Sequence, residues 1–227
     1  MGKSHLDIEL KQLHDKTVEL FKLVNSQLEK GYESLTKIDK NLALEIIEIE
    51  KRVNSYEIMI DRDCENIFAL FNPLAIDLRF VLAVLKINTN LERTGDIAEG
   101  IAKFVKNVDA NFDLDLLKQT RALEMFTAAR NMMDHVLDAF VKEDADLARM
   151  IFTEDEILNE INKSANGVFA EYIRNNPDNI EQALYLLSII RKLERVGDQA
   201  KNMAEEIVFY IEAKVLKHYE KIDPSVL

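Results

Sequence analysis

The sequence predicts an all-α protein: two pseudo-symmetric, up-down-up three-helix bundles, six long helices in all. Three observations carry this expectation. Apolar residues recur at helical spacing along almost the whole chain, as in Leu6, Leu10, Leu13, Leu20, Phe21 and Val24, and no stretch alternates like a strand. Breakers are few, six glycines and three prolines in 227 residues, so the helices should be long. Finally, the peptide Leu91-Glu92-Arg93-Thr94-Gly95-Asp96-Ile97-Ala98 returns as Leu193-Glu194-Arg195-Val196-Gly197-Asp198-Gln199-Ala200, 102 positions further on. Such self-similarity sets the architecture before any local reading.

The elements follow from where breakers gather. Ile38-Asp39-Lys40-Asn41 separates the first two helices. Asn72-Pro73 separates the second and third, with asparagine expected as N-cap and proline at the first helical position. Asn107 to Asp115 is the longest polar interruption and the expected boundary between two domains, 1–110 and 111–227. Glu143-Asp144 and the stretch around Pro177 repeat the pattern. The predicted helices are roughly 5–37, 41–71, 74–107, 114–142, 145–174 and 179–216, each ~45 Å long at 1.5 Å per residue. Short connections make sequential helices antiparallel neighbours. The tail from Lys217 to Leu227, with Pro224, is expected to fray.

Composition narrows function. Hydrophobic residues at 48% and charged residues at 31% describe a soluble chain able to bury a core. No run of roughly 18 apolar residues exists to span a bilayer, and the N-terminus has no apolar signal core. One cysteine, Cys64, excludes an intramolecular disulfide, and the cytoplasm is the expected compartment. A net charge of −12 argues against nucleic acid and anionic lipid as direct ligands, since both need a basic footprint. Cations, or a basic partner surface, suit it better.

The repeated peptide doubles a chemical unit, because carboxylates at i and i+4 share a helix face one turn apart. Such a pair alone is most simply a solvated face. Two things raise these pairs above that. Gly95 and Gly197 each cost ~1 kcal/mol against alanine inside a helix, which suggests close approach of a backbone or a ligand. Folding the second and third helices back about a point between Leu74 and Ala75 also sets Glu57 level with Glu92, Glu50 level with Glu99, and Asp61 toward Asn88. Glu57 and Asp61 then face Glu92 and Asp96. Four carboxylates on facing helices repel unless protonated or neutralised by cations, and divalent metal is the natural answer. The second half offers Glu194 and Asp198, with Asp155 level with Asp198, and with Glu156 or Glu160 as further candidates. There, Asn162 and Asn166 replace the Glu57/Asp61 pair, so metal binding is expected to be different or weaker.

The repeated Glu-Arg-x-Gly-Asp, Asn202 completing Asp198-x-x-x-Asn202, and Asn72-Pro-Leu-Ala-Ile-Asp-Leu-Arg79 resemble the PhoU family over essentially the whole chain. The resemblance implies two three-helix bundles in pseudo-twofold symmetry. It also implies multinuclear metal clusters on Glu57, Asp61, Glu92, Asp96, Glu194 and Asp198, with iron, zinc, manganese or magnesium all open. A regulatory role is implied too: dampening phosphate-starvation signalling through the ATPase subunit of a phosphate ABC transporter and a sensor histidine kinase. A homodimer, reaching the membrane only through partners, is the expected assembly.

The remaining residues point away from catalysis. None of His5, His14, His135 and His218 has an acid three positions before it, so the Glu-x-x-His signature of di-iron enzymes is absent. No nucleophile–base pair, phosphate loop or nucleotide fingerprint is visible. Cys64 and the methionines read as core, and His14 and His135 as packed or surface residues. Arg93 and Arg195 read most plainly as i, i+3 ion pairs with Asp96 and Asp198, the alternative being support of the metal's ligands or a phosphate contact beside it. A regulator is therefore expected, not an enzyme. The alternatives are a carboxylate-bridged metal phosphatase or oxidase, an accessory of another phosphate carrier, and a plain scaffold.

Overall fold

The structure, a computed structural model, describes residues 4–108 and 112–216. Six long helices and one short one account for most of it: α1 (His5–Lys37), α2 (Lys40–Phe71), α3 (Ile76–Asn107), α4 (Leu114–Gln119), α5 (Ala122–Lys142), α6 (Ala145–Asn175) and α7 (Ile180–Glu212), with a 3-10 turn at Pro177–Asn179 before α7. No strand occurs among the described residues. Residues 109–111, within the expected half boundary, and 217–227, the expected frayed tail with His218, lie outside the described residues.

Local chemistry sets the helix ends. Ser4 and Asp7 form a reciprocal capping box at the start of α1. Asp39 and Asp144 cap α2 and α6 identically, each accepting from two backbone N–H groups at 2.9 and 3.1 Å. These two caps are 105 positions apart, whereas the glycine motifs of α3 and α7 are 102 apart.

Three expectations need correction. Asn72 does not cap α3; it ends α2 in the left-handed conformation (φ 45°), and α3 begins only at Ile76. Asparagine tolerates that conformation, and proline commonly follows a helix end because it cannot continue the helix. The predicted 114–142 helix is broken at Thr120–Arg121. There Arg121 turns left-handed (φ 54°), its guanidinium gripping Glu124 through two bonds at 2.7 and 2.8 Å and Glu160 at 2.7 Å. The last helix stops at Glu212, where Ala213 takes a left-handed turn (φ 60°).

Within the first half α1, α2 and α3 pack on one another, and in the second half α5, α6 and α7 do. The halves join through α3 on α7 and α1 on α5. The α3–α7 seam is antiparallel, running from Phe80 on Tyr210 through Lys86–Glu206 (2.9 Å) and Asn90–Asn202 (3.5 Å) to Phe104 on Tyr185. Its symmetry is visible residue by residue. The image of the Asn90–Asn202 contact under the 102-residue repeat is Lys192 against Gly100, and those two residues do meet. On the α1–α5 side Phe140 packs against Phe21, with ring centroids 5.5 Å apart, and against His14 at 5.0 Å. One continuous core thus spans both halves. Burying a phenylalanine such as Phe21 or Phe126 contributes on the order of 2–3 kcal/mol. The long helices outside these seams are α2, held by α1 and α3, and α6, held by α5 and α7.

Because the two aspartate caps have the same geometry, Asp39→Ala and Asp144→Ala should each cost about 1 kcal/mol. Urea unfolding midpoints would check this; a cost near zero at either site would show that its cap is not used.

Candidate functional site

The acids sit where the outer helices meet α3 and α7. Asn88 reports the register of the α2–α3 pair: its Nδ2 donates to Asp61 Oδ1 at 2.8 Å and to the Glu57 carbonyl at 2.9 Å. Glu57, Asp61 and Glu92 are half-buried and Asp96 is exposed. They lie close enough to repel. Burial, followed by the charges of Asp61 and Asp96, raises the pKa of Glu57. Burial, then Asp96 and Glu57, raises that of Glu92, against the pull of Arg93.

Beneath this face lies a carboxylate that the sequence reading set level with Glu99 but did not count as a site residue. Glu50 is 4% exposed. Gln27 Nε2 donates to its Oε2 at 2.8 Å, while its Oε1 is buried with no hydrogen-bond partner. Gly95 is bare for this reason: a β-carbon there would come within 2.6 Å of Glu50 Oε2. Burial, opposed by the Gln27 bond and reinforced by Asp96, Glu99 and Glu92, raises the Glu50 pKa from an ordinary 4.5 to about 7.

The second half repeats the design with a different outcome. Gly197 faces Asp155, which is 3% exposed; a β-carbon would lie 2.7 Å from Asp155 Oδ1 and from Leu158 Cδ2. The 105-residue offset that relates the aspartate caps also relates Glu50 to Asp155, and it could have pointed to Glu50 from sequence. Here, however, an ammonium is present. Lys201 Nζ lies 2.5 Å from Asp155 Oδ2 and 3.1 Å from Asp198 Oδ1, and Asn159 donates to the same Asp155 oxygen at 2.6 Å. Burial works against the charged Lys201, yet its bonds to Asp155 and Asp198 raise its pKa overall. Glu194 is raised by burial and by Asp198 and Asp155, with Lys201 opposing.

Other candidates fall elsewhere. Glu160 serves Arg121, Glu156 is exposed, and Asn166 accepts from Arg191 at 3.3 Å. Asp198 pairs with Lys201, so the expected Arg195–Asp198 ion pair is not formed, nor is Arg93–Asp96. Cys64 is a core residue whose thiol approaches the Val81 carbonyl at 4.0 Å, and burial pushes its pKa up to about 12. His14 packs with Phe80 and Phe140 in a three-ring cluster, and His135 bonds Glu154 at 2.8 Å.

Among the described residues, no three His, Cys, Asp or Glu side chains converge closely enough to enclose an ion. The first face nonetheless fits a hard cation in donor chemistry. Its donors are all carboxylate oxygens, its acids outnumber the cations beside them (Lys103 on Glu99, Lys192 near Asp96 and Glu99, Arg93 near Glu92), and its deepest member holds a free oxygen. Bringing three donors onto one ion takes rotamer changes in long, half-exposed glutamates. The second face carries its own cation.

Fold and site together define a two-repeat helical protein with an acidic face on each half, in which no helix of the described residues is long and apolar enough to cross a membrane. The chain belongs to the PhoU family: the family model described as PhoU domain matches residues 17–105 and again 122–207. It is 30% identical over 216 residues to phosphate-specific transport system accessory protein PhoU homolog 1 of Thermotoga maritima, covering 95% of this chain and 92% of that one. It is also 30% identical over 210 residues to the accessory protein PhoU of Escherichia coli K12, covering 92% of this chain and 86% of the relative. The crystal structure of PhoU from Pseudomonas aeruginosa superposes with a TM-score of 0.83 at 28% identity, over 92% of this chain and all of that one. The phosphate transport system regulatory protein PhoU from Streptococcus pneumoniae gives 0.81 at 28%, over 94% of this chain and all of that one.

Two outcomes follow from this geometry. Glu50 holds its proton more tightly folded than unfolded, so the fold takes up protons between pH 4.5 and about 7 and loses stability as pH rises through that window. In chelator-treated protein, Glu50→Gln should therefore shrink the fall in melting temperature between pH 5 and pH 8; an unchanged fall would refute the assignment. Alanine in place of either glycine gains helix propensity but overpacks, a cost of typically 1–3 kcal/mol. Gly197→Ala should destabilise more than Gly95→Ala, because at Gly197 both the short Asp155 and the packed Leu158 would lie at 2.7 Å, whereas at Gly95 only the longer Glu50 comes that close and Val53 stands off at 3.1 Å. Paired denaturant melts decide the order.

Proposed function

We propose that this chain is a non-catalytic, cytoplasmic accessory protein of a phosphate-specific transport system. In this reading it restrains phosphate-starvation signalling by contacting the transporter's ATPase subunit and a sensor histidine kinase. The observation that carries it is the match over nine-tenths of the chain to proteins named as accessory or regulatory components of phosphate transport. The net charge of −12 supports docking on basic partner surfaces. The absence of a Glu-x-x-His pair in the sequence supports a regulator over a di-iron enzyme.

The acidic face adds a cation requirement. Glu57, Asp61, Glu92 and Asp96 would hold divalent or trivalent metal, with Glu50 behind them. Carboxylate donors favour magnesium, manganese or iron over softer ions. Bound metal would supply the positive charge that this face lacks, and with it an attraction for anions such as phosphate. Asn88 fixes Asp61, and Gly95 lets Glu50 come close.

Glu92→Ala combined with Asp96→Ala should remove the metal that copurifies with the wild-type chain, measured by elemental analysis. It should also cancel the rise in melting temperature on adding Mn2+, since an ion that binds only the folded state stabilises it by linkage. Equal metal content in variant and wild type would overturn the site. Failure of the purified ATPase subunit to bind the chain would overturn the partner.

A further inference from the structure

The two acidic faces differ in where their charges sit: under the 102-residue offset Glu99 becomes Lys201 while Lys103 becomes Glu205, so acid and lysine exchange places on that turn. Under the 105-residue offset, Glu57 and Asp61 become Asn162 and Asn166. Glu50, Glu92 and Asp96 stay acidic as Asp155, Glu194 and Asp198, and both glycines stay. The first face therefore gathers six carboxylates, with Lys103 on the outermost, Glu99; the second gathers three carboxylates with an ammonium on the buried one. The buried acids show the consequence. Asp155 has Lys201 at 2.5 Å. Glu50, equally buried, has only the neutral Gln27 amide; each of the two acids keeps one oxygen without a partner, so the ammonium is what separates them. The first half's nearby lysine, Lys103, pairs at 2.5 Å with Glu99 and not with Glu50.

We propose that Lys201 is the built-in counter-ion of the second half, occupying the place that the first half leaves for an external divalent cation. Ion binding is thereby confined to the face around Glu50, Glu92 and Asp96. The inference rests on the reading of the first face as a cation site. Its physical basis is that a buried carboxylate needs compensation. A compact lysine ammonium supplies it covalently and repels any further cation from the same spot. One half is then held together with or without metal, while the other depends on it.

Reciprocal exchange of the two distinguishing residues in the full chain tests this, with Mn2+ as the probe. Wild-type protein should take up Mn2+ at one face only. Glu99→Lys should abolish that uptake and make the melting temperature insensitive to chelator. Lys201→Glu should raise the Mn2+-to-protein ratio at saturation above wild type. Should Lys201→Glu fail to fold alone, its refolding in rising Mn2+ gives the same readout: rescue supports the proposal and no rescue overturns it. If wild type binds Mn2+ but neither exchange changes the ratio, this inference falls and the cation reading stands. If wild type binds none, the cation reading falls and this inference with it.

Discussion

A buried carboxylate set against a bare glycine is the constraint around which each half is arranged. Glu50 against Gly95 and Asp155 against Gly197 put charge where water does not reach. Burying an ionised carboxylate costs several kcal/mol unless it is paired or protonated. Asp155 is paired with Lys201, and Glu50 answers with a pKa near neutrality. The glycine costs helix propensity in both halves, and the close approach of the acid explains why both keep it. The acids on the outer turns are coupled to these buried ones, since Glu92 and Asp96 raise Glu50 and Asp155 raises Glu194.

The scaffold can carry this strain because its stability is held elsewhere. The antiparallel α3–α7 seam and the Phe21–Phe140–His14 stack between α1 and α5 form one core shared by both halves. Packed interiors of this kind tolerate little change, which keeps the pseudo-twofold relation legible in contacts such as Asn90–Asn202 and Lys192–Gly100. The faces that α2 turns to α3 and α6 to α7 lie outside these seams. Their residues have diverged in charge while the core kept its symmetry.

Much of this was legible in the chain. Helical periodicity and scarce breakers placed six long helices closely, and the repeated peptide announced two halves. The fold-back about Leu74 set Asp61 opposite Asn88, and their side chains hydrogen-bond at 2.8 Å. The errors came from residues with two local uses. Asparagine serves as an N-cap or as a left-handed helix end, and Asn72 does the second. Arg121 sits left-handed at a helix break, where its guanidinium holds Glu124 on its own helix and Glu160 on α6. Glu50 escaped notice as a site residue because a glutamate in a charged helix reads as solvated until its neighbours are known.

The sequence by itself determined the helices, the doubling, the family and the presence of facing acids, because periodicity and spacing are local properties of the chain. Only the tertiary structure decided how the charge is compensated. Pairing Lys201 with Asp155 joins α7 to α6 across 46 residues, and leaving Glu50 to Gln27 joins α2 to α1 across 23. No local pattern marks either partner. Charge compensation depends on distance and burial, and both exist only once the helices have packed.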